Sequence, residues 1–268
     1  MSVNDRFRIG LGTYQNTDSE ECASTVARAL EMGYRHVDTA QMYGNEAAVG
    51  EGVRRADVPR EAVTVATKVH PENLAYDDVV ESTEASLDRL GLETVDLLYV
   101  HWPVDAYDPE ATLAAFDELR RSGAVRHIGL SNFTPELLEE AFELLEEPPY
   151  AHQVELHPFC QQPELQRYAR EHDHWLVGYC PLARGSVFEN EVLTDIADEH
   201  GVSEARVTLA WFLTKDNVSA VPKATGEHVR DNIGAFDLEL TTREIERIDA
   251  LDRGERFIDD TPAEVPWE

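Results

Sequence analysis

The stretch GYRHVDTAQMYGNEAAVGEGV, residues 33–53, contains a short apolar run followed by a segment with helical spacing. Asn45, just before EAAVGEGV, is a typical helix-start residue. The same succession of a β-type run and a helical segment recurs along the chain. The β-type runs end near Thr13, Thr39, Lys68, His101, Ser131, Leu156, Cys180 and Lys223. About eight strand–helix units are therefore predicted.

Several of these runs, such as VDLLYVH and WLVGYC, are continuously apolar, which is typical of parallel strands covered on both faces. Further helix starts are predicted at Asp77, at Thr134 with Pro135 in the first helical position, and at Ser203. Glycines close several helices, at Gly33, Gly91, Gly123 and Gly201.

Eight parallel strands alternating with helices indicate an α/β fold of the (β/α)8 TIM-barrel type. An open doubly wound sheet is the alternative, but the barrel agrees better with the number of strands. The chain has no fixed-length repeat and no Pro-, Gly- or Ser-rich linker, so residues 1–268 are expected to form a single domain.

Length and composition restrict the class of protein. Among the 268 residues, no apolar stretch approaches the roughly 18 to 20 residues of a membrane span, and the first residues lack a signal-peptide core. A cytoplasmic protein is expected. Its three cysteines, Cys22, Cys160 and Cys180, are too few and too scattered for a disulfide framework.

The charge is strongly acidic, with 53 acidic and 23 basic residues and a net charge of -30. Nucleic acid and anionic membranes are not expected partners, because they would be repelled. Self-repulsion of this size destabilises a compact chain unless salt screens it, and in about 1 M salt the Debye length is roughly 3 Å. We therefore expect adaptation to a salt-rich cytoplasm.

Chemistry in this fold collects where the strands end. The second predicted strand offers Asp38 and then Tyr43, the third Lys68, and the fourth His101. A buried ammonium beside the phenol would favour its ionised form, and a carboxylate would keep that ammonium charged. Each residue also has an ordinary explanation, such as a helix cap, a rim aromatic or a surface charge. Four such residues at successive strand ends favour a catalytic site.

The chain resembles the aldo-keto reductase family over essentially its whole length. The segments that carry the resemblance are GLGTYQ, GYRHVDTAQMYGNEAAVGEGV, ATKVH, YVHWPVD, IGLSNF, HQVELHPF, GYCPLARG and PKATGEHVRDN. Short loops after HWPV and CPLARG, and the brief tail ending VPWE, are most similar to the prokaryotic 2,5-diketo-gluconate and methylglyoxal reductase branch.

The resemblance implies a barrel that reduces aldehydes and ketones with a nicotinamide cofactor. Tyr43 matches the general acid/base, Asp38 and Lys68 its supporting ion pair, and His101 the residue that orients the carbonyl. The cofactor would lie extended at the barrel mouth, without a Rossmann unit. The positions that match its binding residues are Gly12, Thr13, Ser131, Asn132, Gln153, Tyr179, Cys180, Leu182, Arg184, Lys223, Ala224, His228 and Asn232.

The adenosine end departs from the family pattern. Lys223 matches the lysine that meets the 2′-phosphate, but Ala224 replaces a common serine and His228 stands where an arginine usually grips the phosphate. A bidentate arginine would be a strong charge-assisted contact. Glu227 would repel a phosphate and could accept a ribose hydroxyl instead. NADP(H) is preferred as the cofactor, with NAD(H) or dual use left open.

The substrate is expected to contact residues around the mouth: Tyr14, His70, Trp102, Phe133 and Trp267. Tyr14 and His70 stand where the family often has tryptophan, so small polar carbonyls such as 2-oxoaldehydes or keto sugars are expected. No metal site is predicted, because the His172/His174 pair falls at a helix end away from the mouth. A monomer is expected from the family. The alternative function is a cofactor-binding redox-sensing subunit without significant turnover.

Overall fold

The computed structural model describes residues 7–258, which contain a curled sheet of eight parallel strands in the order β1-β2-β3-β4-β5-β6-β7-β8. The strands are β1 Leu11–Gly12, β2 His36–Asp38, β3 Thr64–Val69, β4 Val95–Val100, β5 Val125–Ser131, β6 Ala151–Glu155, β7 Trp175–Tyr179 and β8 Val218–Ala220. The predicted (β/α)8 barrel is confirmed. β8 ends at Ala220, before the predicted end at Lys223, because only an isolated bridge to Gly12 continues the pairing there.

Backbone hydrogen bonds from residues at or next to β1 to residues at or next to β8 join the first strand to the last, which rules out the open sheet. Gly10 N donates to Ala220 O at 2.8 Å, and Gly12 N donates to Pro222 O at 2.9 Å. A Cβ atom on residue 12 would lie 2.6 Å from Val221 O, so glycine is needed where the two strands approach each other.

Within residues 7–258, ten helices follow or separate the strands. They are α1 Ser19–Glu31, α2 Glu46–Arg55, α3 Tyr76–Leu90, α4 Pro109–Ser122, α5 Pro135–Leu144, α6 Pro163–Glu171, α7 Glu191–His200, α8 Glu204–Leu213, α9 His228–Ile233 and α10 Thr242–Asp249. In the described part of the chain, no helix is both long enough and apolar enough to cross a membrane.

The predicted starts of α5 and α8 are confirmed, since Thr134 and Ser203 accept backbone hydrogen bonds as N-caps. The predicted start at Asp77 is wrong by two positions: Ala75 is the N-cap of α3, and Asp77 lies in the first turn. Asn45 does precede α2, but its side chain donates to Thr13 O and Asn16 O instead of capping the helix. It thus ties the loop after β1 to the start of α2.

Helices α3, α4 and α7 end at glycines with positive φ, as predicted for Gly91, Gly123 and Gly201. Gly33, also with positive φ, follows α1 after one intervening residue. The left-handed conformation needed at these positions costs glycine little.

Apolar side chains fill the interior of the barrel, which is therefore a packed core and not a channel. Seven buried residues form this interior cluster: Phe7, Ala66, Leu97, Tyr99, Ala151, Val177 and Val221. Phe7 stacks on the ring of His36 with 4.2 Å between centroids. The polar residues at the carboxyl ends of the strands lie above this packing and face the mouth.

Candidate active site

The structure brings Asp38, Lys68 and Tyr43 together at the mouth of the barrel. Asp38 is the last residue of β2, Lys68 lies near the end of β3, and Tyr43 ends the short 3-10 turn Gln41–Tyr43. Lys68 Nζ lies 2.5 Å from Asp38 Oδ1, 2.9 Å from Thr39 O and 3.4 Å from Tyr43 Oη. Both partners of the ion pair are buried. One ammonium thus contacts a carboxylate on one side and a phenol on the other.

The pKa values of this group depend on its burial as well as its charges. Burial lowers the pKa of Lys68, but Asp38 and Tyr43 outweigh it, and the pKa lies above its usual value. Lys68 therefore stays charged. Burial raises the pKa of Tyr43 and outweighs the opposing effect of Lys68. Lys68 thus lowers the pKa of the phenol as expected, but not enough to bring it below its usual value, and Tyr43 keeps its proton at neutral pH.

His101 follows β4 directly and is buried beside Tyr43, with 5.9 Å between the ring centroids. Burial, with smaller contributions from Lys68 and His70, holds the pKa of His101 well below its usual value. The imidazole is therefore neutral at physiological pH, and a neutral ring carries one N–H donor and one acceptor.

A chain of hydrogen bonds connects the ends of β5, β6 and β7 to this group. Gln153 Nε2 donates to Asp38 Oδ2 at 2.9 Å, and Ser131 Oγ donates to Gln153 O at 3.0 Å. Tyr179 Oη donates to Asn132 Oδ1 at 2.9 Å, and Asn132 Nδ2 donates to His101 O at 3.0 Å. Polar side chains at several neighbouring strand ends thus hold one another in fixed positions.

A cavity of about 810 Å³ opens above these residues. Most of the residues predicted for the site line it: Gly12, Tyr14, Asp38, Tyr43, His101, Trp102, Ser131, Asn132, Gln153, Tyr179, Cys180, Leu182, Arg184 and Lys223. Gln15, Met42, Pro181, Val221, Pro222 and Ile258 also line it and were not predicted. Met42 had a signal in the sequence, since it directly precedes Tyr43. No local pattern marked Ile258.

Some predicted residues do not line the cavity. Thr13 is buried, and its hydroxyl donates to Asp38 O, so it holds β1 against β2. His70 accepts a hydrogen bond from Glu72 N as the N-cap of the turn Pro71–Asn73. The placement of Phe133 at the mouth is wrong: it is fully buried and packs edge-on against Tyr107. Trp267 lies outside the described residues.

The residues predicted for the adenosine end lie beside α9. Lys223 and His228 are exposed, whereas Ala224 is buried. Asn232 is buried, and its Nδ2 has no hydrogen-bond partner among residues 7–258. Glu227, just before α9, forms an ion pair with Arg28 of α1 at 2.8 Å. The repulsion expected from Glu227 is thus partly offset by a neighbouring arginine.

Cys180 lines the cavity as a free, half-buried thiol, and Cys22 and Cys160 are free and buried. Burial raises the pKa of the Cys180 thiol, so the neutral form prevails at neutral pH. His172 and His174 lie at the end of α6, where Phe142 contacts both rings. The aromatic contacts give this histidine pair a packing role away from the mouth.

Known proteins resemble this chain over nearly its whole length. The sequence model described as the Aldo/keto reductase family matches residues 8–253. Glyoxal reductase of Bacillus subtilis is 39% identical over 250 residues, covering 92% of this chain and 90% of that protein.

Among the solved structures that share the fold are the following two. A putative 2,5-diketo-D-gluconic acid reductase B has a TM-score of 0.88 and 37% identity, covering 92% of this chain and 88% of the other. The Bombyx mori aldo-keto reductase in complex with NADP has a TM-score of 0.87 and 28% identity, with coverages of 94% and 91%. The family match and the named reductases are consistent with the group of polar residues at the strand ends described above. This chain therefore belongs to the aldo/keto reductase family and is an oxidoreductase of carbonyl substrates that uses a nicotinamide cofactor.

Proposed function

We propose that the chain reduces small aldehydes and ketones, of the 2-oxoaldehyde or keto-sugar type, with NADPH as the preferred cofactor. The observation that carries this proposal is the contact of Lys68 Nζ with both Asp38 Oδ1 and Tyr43 Oη at the base of the cavity. Glyoxal reductase among the relatives supports the substrate class.

The residues at the mouth are suited to hold the cofactor. Tyr179 offers an aromatic ring, and Lys223 an exposed cation, in the lining of the cavity. The unpartnered Nδ2 of Asn232 is a donor that a buried polar ligand group would satisfy. Ser131, Asn132 and Gln153 are proposed to bind the carboxamide. When bound, the nicotinamide supplies the hydride to the carbonyl carbon.

Tyr43 is proposed to donate its phenolic proton to the carbonyl oxygen as the alcohol forms. Its raised pKa keeps the proton in place until the oxygen gains negative charge. Lys68, held charged by Asp38, stabilises the phenolate left behind. His101, neutral at physiological pH, is proposed to hydrogen-bond the same oxygen and fix its angle.

Preference for NADPH over NADH is supported by Lys223 and by the pairing of Glu227 with Arg28. A phosphate near exposed Lys223 gains a charge interaction that a ribose hydroxyl does not. His228 lacks the planar fork of N–H donors with which an arginine binds phosphate through two hydrogen bonds. Residual use of NADH is therefore expected.

The test is NADPH oxidation with methylglyoxal and 4-nitrobenzaldehyde in molar potassium chloride, for wild type beside Tyr43→Phe. We expect turnover by wild type and a loss of about 10²- to 10⁴-fold in kcat for the variant, with the cofactor Kd retained. Tyr76→Phe, at a half-buried tyrosine that donates to Glu118 and does not line the cavity, is the matched control. Cofactor binding without turnover by wild type would favour the redox-sensing alternative.

A further inference from the structure

Glu155, the last residue of β6, is a fully buried carboxylate with no part in the proposed proton transfer. It accepts hydrogen bonds from two successive backbone amides, Phe257 N at 2.6 Å and Ile258 N at 3.4 Å. His157 Nε2 lies 3.1 Å from Oε1, and Arg256 Nη1 lies 3.9 Å from Oε2. The carboxylate thus binds a segment that is distant in the sequence.

The charge of Glu155 is maintained despite its burial. Burial raises its pKa, but the hydrogen bonds from His157 and the Phe257 amide, with the charge of Arg256, hold the pKa below its usual value. An ionised carboxylate accepts stronger hydrogen bonds from N–H groups than a neutral group does. The amides of Phe257 and Ile258 are therefore bound by a charged acceptor.

The segment that Glu155 holds, residues 253–258, is attached at a second point that does not involve Glu155. Arg253 N and Glu255 N both donate to Phe159 O, at 3.2 and 3.0 Å. The Arg253 guanidinium also lies 4.3 Å from the centroid of the Phe159 ring. The first residues of the segment therefore have an attachment that does not involve Glu155, and the Phe257 ring lies 5.3 Å from the His157 ring between centroids. Glu155 is the acceptor for the backbone amides of Phe257 and Ile258.

Ile258 lines the same cavity as Tyr43, Trp102 and Tyr179. Its backbone amide donates to Glu155, so that hydrogen bond restrains the backbone of the residue that lines the cavity. We propose that Glu155 is a positioning residue that fixes Ile258 as one wall of the substrate space. This inference rests on the proposed function and assigns Glu155 to substrate selection and not to the chemical step.

The kinetic test compares Glu155→Met, which removes both acceptor oxygens, with Ile258→Ala, which removes the wall and leaves the acceptor. For 4-nitrobenzaldehyde we expect KM to rise about tenfold in both variants, the effect of a lost apolar contact in a pocket. For methylglyoxal, which lacks an aromatic ring to contact this wall, we expect KM to change about twofold or less, on the same reasoning. The kcat values and the NADPH Kd should stay close to wild type.

Glu171→Gln is the matched control, because it removes an acidic charge from an exposed ion pair with Arg167 on α6. Its kinetics should equal those of wild type. Unchanged KM for 4-nitrobenzaldehyde in both other variants would overturn the inference. A parallel loss of kcat, cofactor affinity and melting temperature in Glu155→Met would also overturn it, because that pattern indicates a general structural role.

Limited trypsin digestion provides a readout that needs no turnover. Cleavage of the Arg256–Phe257 bond requires the segment to leave Glu155, so its rate reports the population of the detached state. We expect Glu155→Met to be cut at least about tenfold faster there than wild type and Glu171→Gln, because two amides lose a charged acceptor. Equal rates would overturn the inference. Absence of carbonyl reduction by wild type, by contrast, would contradict the proposed function alone.

Discussion

Gln153 and Asp38 are joined across the mouth of the barrel by a hydrogen bond from Nε2 to Oδ2, 2.9 Å long. Since Lys68 takes the other oxygen of Asp38, both oxygens of this buried carboxylate have a donor. The carboxylate is therefore fixed in orientation. This double attachment explains how a lysine without solvent contact remains charged next to a phenol.

Breaking the Asp38–Lys68 pair from one side should destabilise the protein strongly. Asp38→Leu leaves the buried ammonium without its carboxylate, and we expect a loss of about 3–5 kcal/mol in the free energy of unfolding. Lys68→Met should cost a similar amount, and the double variant less than the sum of the two. Urea denaturation in molar salt measures all three. Additive losses would show that the pair is not coupled.

The exposed pair of Arg167 and Glu171 is the reference for this cycle. Replacing Arg167 by Met and Glu171 by Gln should change the free energy of unfolding by about 1 kcal/mol or less, because solvent screens the attraction between the two charges.

Cofactor choice should depend on Lys223. We expect Lys223→Met to lower kcat/KM for NADPH by about tenfold or more and to change the value for NADH little, because one charge contact is lost. His228→Arg should raise the ratio of kcat/KM for NADPH to kcat/KM for NADH, since a guanidinium can bind phosphate through two hydrogen bonds. Steady-state kinetics with both cofactors at one salt concentration measures the effect. A tenfold NADH preference of wild type would contradict the proposed cofactor.

Two buried histidines should make stability depend on pH. Burial, as the main cause, lowers the pKa of His36 to about 4 and that of His174 to about 4. Below the unfolded-state value of about 6.5 the unfolded chain takes up protons that the folded chain does not. Their contribution is therefore complete above pH 6.5 and is lost as pH falls towards 4.

The variant His36→Phe, which keeps an aromatic ring against Phe7, isolates this effect. Between pH 6.5 and 4 its free energy of unfolding should fall less steeply with decreasing pH than that of wild type. The two slopes should differ by up to about 1.4 kcal/mol per pH unit. Chemical denaturation at several pH values supplies the slopes. Parallel slopes would mean that His36 titrates alike in both states.

The melting temperature should rise between low salt and molar potassium chloride, because the net charge of -30 opposes the compact state. Arg120 illustrates the excess of acid: it faces Asp117, Glu146 and Glu147 within 4.0 Å. At about 1 M salt the roughly 3 Å Debye length removes most repulsion between exposed carboxylates. Calorimetry over a series of salt concentrations tests this. A constant or falling melting temperature would contradict salt adaptation.

The arrangement of the strands could be predicted because each is a short, continuously apolar run that ends at a polar residue. The convergence of Asp38, Lys68 and His101 follows from that alone, since parallel strands end at one face of a barrel. The direction of the Phe133 side chain could not be predicted. A change in the backbone dihedral angles of a single loop residue is enough to turn a side chain from the mouth to the core. Depth of burial, which decides the pKa of Tyr43, also has no local sequence pattern.

Ile258 shows a second limit of sequence analysis. It lines the cavity, and its amide donates to a carboxylate 103 residues away in the chain. Hydrophobic periodicity describes single elements and carries no information about such a pairing.

The joining of β1 to β8 also affects how the protein is made. From β1 to β7, each strand pairs with the next one in the chain, so the sheet can extend during translation. β8, the partner on the other side of β1, is the last strand to be synthesised. Until then the growing chain has two open strand edges that can pair with other polypeptides. Salt that screens the charge of the folded protein also screens repulsion between nascent chains, so these edges are protected only once the ring closes.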